Sequence, residues 1–107
     1  QRFAERFRGR ALLRAKRDGL ARNACVALGN TGAAPDFPAL CAALDDIAPL
    51  VRGHAAWAIG RLCERNALGE TGRADAVTRL RSHLSNESDD WVREELELAL
   101  AASTSPC

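Results

Sequence analysis

An all-α fold of repeated helix pairs, about three of them stacked as an α-solenoid, is predicted by three observations. First, an apolar residue recurs at i, i+4, i+7 and i+8 in three stretches: Leu20, Ala24, Ala27, Leu28; Val51, Ala55, Ala58, Ile59; Val92, Leu96, Ala99, Leu100. That spacing marks one face of an α-helix. Second, small residues fill the middle of this face in the first two copies, and Gly29 and Gly60 fall at the same place in the pattern. A neighbouring helix can therefore approach closely. Third, no run of alternating β-branched residues suggests a strand. An alanine-rich face cannot bury itself and needs a neighbour of the same kind, which is the logic of a solenoid.

The elements follow in chain order. Residues 1–30 form a basic first unit, closed by Gly29-Asn30-Thr31-Gly32, which reads as a helix stop. A second unit spans 36–63. Asp36 is its expected N-cap, Phe37, Leu40, Cys41 and Leu44 share one face, and Pro49 opens the next helix, where a missing N–H costs nothing. A third unit spans 73–102, with Ala74, Val77, Leu80, Arg81 and Leu84 on one face before the polar run Ser85 to Asp90. Residues 103–107, ending in Cys107, are expected to be a disordered tail. The step from Gly29 to Gly60 is 31 residues and from Gly60 to Ala101 it is 41. An irregular period with a regular face is the habit of degenerate helical repeats. The expected unit is thus one repeat domain over 1–102.

Composition bounds the function. At 107 residues the chain makes one domain, and with three Phe, two Trp and neither Tyr nor Met its core is mostly Ala and Leu. No apolar stretch approaches the twenty residues of a membrane span, and no secretory signal pattern is present. The reading is a soluble, cytoplasmic protein with no membrane partner. The net charge of +1 hides an asymmetry: +6 over residues 1–30, −2 over 31–70 and −3 over 71–107. A basic N-terminal third, in which arginine can fork onto phosphate, points to an anionic partner or to a solvated basic surface.

Cys25, Cys41, Cys63 and Cys107 include no C-x-x-C, so neither a zinc nor an iron–sulfur pattern is present. Cys25 and Cys41 sit on helices and read as small buried hydrophobes. His54 and His83 lack a Cys or His partner at ligand spacing, and no nucleotide-binding or nucleophile-elbow motif appears. Nothing in the chain looks equipped to run a reaction alone.

One ordered set of motifs is more specific. Phe3 and Phe7 precede an arginine-rich stretch; Arg22, Asn23, Ala27, Gly29 and Asn30 follow; then come Val51, Arg52, His54, Ala55, Ala56, Trp57 and Ala58. Over roughly residues 1–62 this resembles the C-terminal HEAT-like repeat region of bacterial epoxyqueuosine reductase, which completes queuosine in tRNA. The resemblance implies a tRNA-binding module that positions the anticodon stem-loop for upstream catalytic domains of the same polypeptide. Those domains of the family enzyme carry cobalamin and two 4Fe–4S clusters; their ligands map onto nothing here, so no cofactor is expected in this chain. Phosphate contacts would come from Arg8, Arg10, Arg14, Lys16, Arg17, Arg22 and Arg52, with Asn23 and His54 as weaker candidates beside Asn30. Such contacts position RNA without reading its sequence.

Two other classes stand beside this reading. One is a HEAT-like scaffold for protein–protein interaction. The other is a HEAT-like enzyme resembling alkylpurine glycosylases or bilin lyases. It would need an acidic or aromatic cluster in a pocket, for which the sequence offers only Trp57 and Trp91, in different repeats.

Overall fold

Five α-helices account for nearly all of the chain in the computed structural model, which describes residues 2–104, with side chains from residue 9 onward. They are α1 (Arg2–Thr31), α2 (Phe37–Ala43), α3 (Pro49–Glu64), α4 (Gly69–Asn86) and α5 (Asp90–Thr104), with a 3-10 turn at Ala34–Asp36 before α2. No strand occurs among the described residues. The helical-repeat class is as the periodicity requires. α2 with α3 and α4 with α5 make complete pairs, whereas the first unit is a single 30-residue helix.

The main layer is α1, α3 and α5, side by side, with α3 between the other two. Its joints explain the repeated small residues. A Cβ on Gly29 would lie 2.6 Å from the Trp57 ring and 3.1 Å from the Ala58 backbone. A Cβ on Gly60 would lie 3.1 Å from the Ala99 backbone. Each glycine thus faces the residue two places before its own equivalent in the next helix: Ala58 precedes Gly60 by two, and Ala99 precedes Ala101 by two. The period changes between the two joints while the register does not. The extra residues of the second step lie in α4, 18 residues long against 7 for α2; before it, Asn66 and Gly69 turn the chain with left-handed backbone, φ 56° and 71°.

The core is continuous through the layers. Ala55, Ala58, Ile59 and Leu62 of α3 are fully buried, together with Leu40 and Leu44, Ala76 and Leu80, and Val92 and Leu96. The α2 face matches its sequence pattern in full. On α4 the buried face is centred on Ala76 and Leu80, whereas Ala74 and Arg81 are exposed. Cys25, Cys41 and Cys63 are buried free thiols, and burial pushes the Cys25 and Cys41 thiols above their usual pKa. They are core packing rather than reactive groups.

Three expectations are corrected. Asp36 does not cap α2 through its side chain; its carboxylate reaches back to accept from the Ala33 amide at 2.9 Å. α1 stops within the expected run, at Thr31 before Gly32, but Gly29 itself lies inside the helix, where its smallness serves the Trp57 contact. The expected tail is helical through Ser103 and Thr104. Ser103 is buried and donates to the Ala99 carbonyl at 2.7 Å, against Cys63 of α3. Residues 105–107, with Cys107, lie outside the described residues.

Much of the arginine outside α1 is spent on helix ends, whose last carbonyls have no partner within the helix. Arg65 donates to the carbonyls of Gly29 and Gly32, closing α1. Arg73 donates to Cys63 near the end of α3, and Arg93 to Leu84 and Glu87 at the end of α4.

Candidate functional site

The α1/α3/α5 layer carries a groove of about 300 Å³ lined by Val26, Asn30, His54, Trp57, Trp91 and Glu95. Two residues come from each helix, so the register that packs the layer also assembles the site. Trp57 leans from α3 across Gly29 of α1. Trp91 leans from α5 across Gly53 of α3, where any Cβ would collide with its ring. The relation is the same both times. Trp57 is equivalent to Val26 and packs on the glycine three residues beyond it; Trp91 is equivalent to Leu50 and packs on Gly53, also three beyond. Two indoles separated in sequence by 34 positions therefore line one groove.

His54 fixes the middle of the groove. Its Nδ1 lies 2.7 Å from the Leu50 carbonyl, one turn back, which calls for a proton on Nδ1 and leaves Nε2 as acceptor in the neutral ring. The imidazole is tilted 55° to Trp91 with centroids 5.4 Å apart, a favourable aromatic arrangement. Trp91 is 40% exposed, a large indole facing solvent on one side. Glu95, one helical turn beyond Trp91, supplies the groove's carboxylate. Chemically this is a slot with aromatic walls and one negative charge. Among the described residues no three of His, Cys, Asp and Glu come together to hold a metal ion.

The residues expected to contact phosphate do not converge here, Asn30 and His54 excepted. Arg10, Arg14 and Lys16 are exposed on the first half of α1, and the Arg8 side chain lies outside the described ones. Arg17 is paired with Asp18 and Asp46, both at 2.6 Å. Arg22 donates through Nε to Asn23 at 3.1 Å. Arg52 is a strut rather than a ligand-binding group. Its Nε and one Nη donate to the two Glu87 oxygens at 2.9 Å each, and the other Nη to the carbonyls of Asp46 and Ile47. The Glu87 hydrogen bonds push Arg52 above its usual pKa, and Arg52 in turn holds the Glu87 carboxyl below the usual carboxylate range. The convergence of Trp57 and Trp91 was hidden by their assignment to different repeats. The readable signal was a Trp paired twice with a glycine at the same repeat offset.

Comparison with known proteins agrees with this architecture. The family of HEAT repeats matches residues 10–101. A deoxyhypusine hydroxylase of Arabidopsis thaliana is 40% identical over 95 residues, covering 84% of this chain and 27% of that protein. The chain thus spans about a quarter of that relative's length. No solved structure matches. The resemblance to epoxyqueuosine reductase does not hold, and the tRNA-positioning role goes with it: the likeness found is to HEAT repeats at large and to a deoxyhypusine hydroxylase. The motif residues that prompted it have structural explanations, Gly29 in a helix joint and Arg52 in a part-buried ion pair. No described helix is long and apolar enough to cross a membrane. With the family matched over most of its length and the repeat register visible in both joints, the chain belongs to the HEAT-repeat family.

Proposed function

We propose that this chain is a protein-interaction HEAT module whose groove receives a cationic side chain of a partner protein. The observation that carries the reading is the meeting of Trp57, Trp91 and Glu95 in one groove. Indole faces attract ammonium groups through the ring quadrupole, worth about 1 kcal/mol per ring at a partly exposed site. A carboxylate beside them selects positive charge. The Arabidopsis relative is named for acting on deoxyhypusine. Its hydroxylase activity is not part of the proposal. Hydroxylation needs an oxygen-activating centre, and the groove's metal-capable side chains are only His54 and Glu95.

The test is calorimetric titration with a pentapeptide carrying one lysine between glycines, its Nε-trimethyl form and its Nε-acetyl form. The two charged peptides bind and the neutral acetyl peptide does not. Trp91→Ala weakens the charged peptides roughly fivefold, the equivalent of one ring, and Glu95→Gln weakens them by a similar or smaller factor. Equal binding of the acetyl peptide, or no effect of Trp91→Ala, contradicts the proposal.

A further inference from the structure

The groove that takes a cationic side chain is polar at its two rims and apolar between them. It crosses three helices in the order α1, α3, α5. α1 contributes Val26 and Asn30, α3 His54 and Trp57, and α5 Trp91 and Glu95. Asn30 is exposed and Glu95 half-buried, and neither side chain has a hydrogen-bond or ion-pair partner among the described residues. Each rim therefore holds an unpaired polar group: on α1 an amide, which both donates and accepts, and on α5 a carboxylate, which only accepts. Trp57, leaning over Gly29 next to Asn30, makes the apolar floor between them together with Val26.

The width of the layer sets the size of the occupant. Joints filled by glycine and alanine hold helix axes close, at about 8 Å, so α1 and α5 stand about 16 Å apart. No single ammonium touches both rims, even with the Asn30 and Glu95 side chains reaching inward. A lysyl residue can, because a four-carbon apolar stem separates its ammonium from its peptide groups. Charge decides which end goes where. Residues 1–30 carry +6 and residues 71–107 carry −3. Arg22 stands one turn before Val26 on α1, and Glu94 precedes Glu95 on α5. An ammonium is repelled at the α1 rim and drawn to the α5 rim, which leaves the Asn30 amide for a peptide group.

We infer that the occupant is a lysine of a partner protein laid across the layer in one direction: its main chain lies along α1 with a peptide group hydrogen-bonded to Asn30, its stem crosses Trp57, and its ammonium sits at Glu95. The inference rests on the cation-binding reading of this groove and adds to it a direction and a length. A stem one methylene shorter cannot meet both rims at once. A cation without a peptide group leaves Asn30 to water.

Calorimetric titration of the full chain tests this with the glycine-flanked lysine pentapeptide, the same peptide carrying ornithine, and n-butylammonium, which is the lysine stem and cation without a peptide group. The ornithine peptide should bind roughly fivefold more weakly than the lysine peptide, less than a methylene decides in an enclosed pocket because this groove is open on one side. Asn30→Ala should shrink the lysine peptide's advantage over butylammonium by about two- to tenfold, the worth of one hydrogen bond. Glu95→Gln should weaken both ligands by the same factor, since both place their ammonium at α5. Asn30 is exposed, and unchanged helical circular dichroism checks the fold of each variant. If both cations bind but ornithine matches lysine, or Asn30→Ala leaves the advantage intact, or Glu95→Gln spares butylammonium, the inference is overturned while the cation groove stands. If neither cation binds, the groove reading itself falls and this inference falls with it.

Discussion

Helices α1 and α3 carry the same apolar spacing and meet opposite fates. Val51, Ala55, Ala58 and Ile59 of α3 are buried, whereas their equivalents Leu20, Ala24 and Ala27 on α1 are exposed and Leu28 is half-buried. The difference lies in the neighbours. α3 has α1 on one side, α5 on the other and α2 across its back; among the described residues α1 packs mainly on α3 and buries Cys25 and Gly29 instead. Periodicity announces a face that can be buried, and the number of packed neighbours decides whether it is.

The sharpest way to break this comparison uses two arginine–carboxylate pairs. Arg52 and Glu87 are largely buried, with side chains 18% and 8% exposed; Arg17 in its pair with Asp46 is 49% exposed. Arg52→Ala removes the side-chain partner of a part-buried carboxylate, which keeps the Asp89 amide, and should cost roughly 1.5–3 kcal/mol in urea unfolding. Arg17→Ala breaks an exposed pair and should cost under about 1 kcal/mol. Equal costs would mean that α1 is packed as tightly as α3.

A smaller contrast comes from enlarging equivalent alanines. Ala55→Leu overpacks a fully buried position and should cost roughly 1–3 kcal/mol. Ala24→Leu, at the exposed equivalent, should change stability by no more than about 0.5 kcal/mol. Thermal melts of the two variants make the comparison directly.

The smallest effect is on pH dependence. Glu87 titrates below the usual carboxylate range when folded because Arg52 hydrogen-bonds its charged form. The stabilisation is therefore complete above the unfolded pKa, near about 4.3, and is lost as pH falls through the lower folded value. Glu87→Gln should lower stability at neutral pH and flatten the loss as pH falls below about 4.3. An unchanged acid slope in this variant would show that Glu87 is not the group responsible.

The fold was legible because its signals are local. Apolar spacing, the proline at position 49 and the paired Gly29 and Gly60 each act within a helix or between adjacent ones. The buried role of Cys25 and Cys41 followed from their place on helices, although Cys25 lies off the apolar spacing of α1. The site was not legible, because its two indoles come from different helices and meet only through a register set by Gly29 and Gly53. Arginine misled for a related reason. A cation that closes a helix end, as Arg65 and Arg93 do, looks in sequence like one waiting for a phosphate. The motif Val51-Arg52-x-His54-Ala55-Ala56 has packing and ion-pair reasons of its own and could not identify one HEAT protein among others.

The central claim is that Trp57 and Trp91 line one binding groove. Fluorine NMR of the chain labelled with 5-fluorotryptophan reads both indoles separately, the two tryptophans giving two resonances. On titration with the trimethyl-lysine peptide, both resonances should move along the same saturation curve, while the acetyl-lysine peptide leaves both in place. Movement of only one resonance, two different curves, or equal shifts with the neutral peptide would contradict the account.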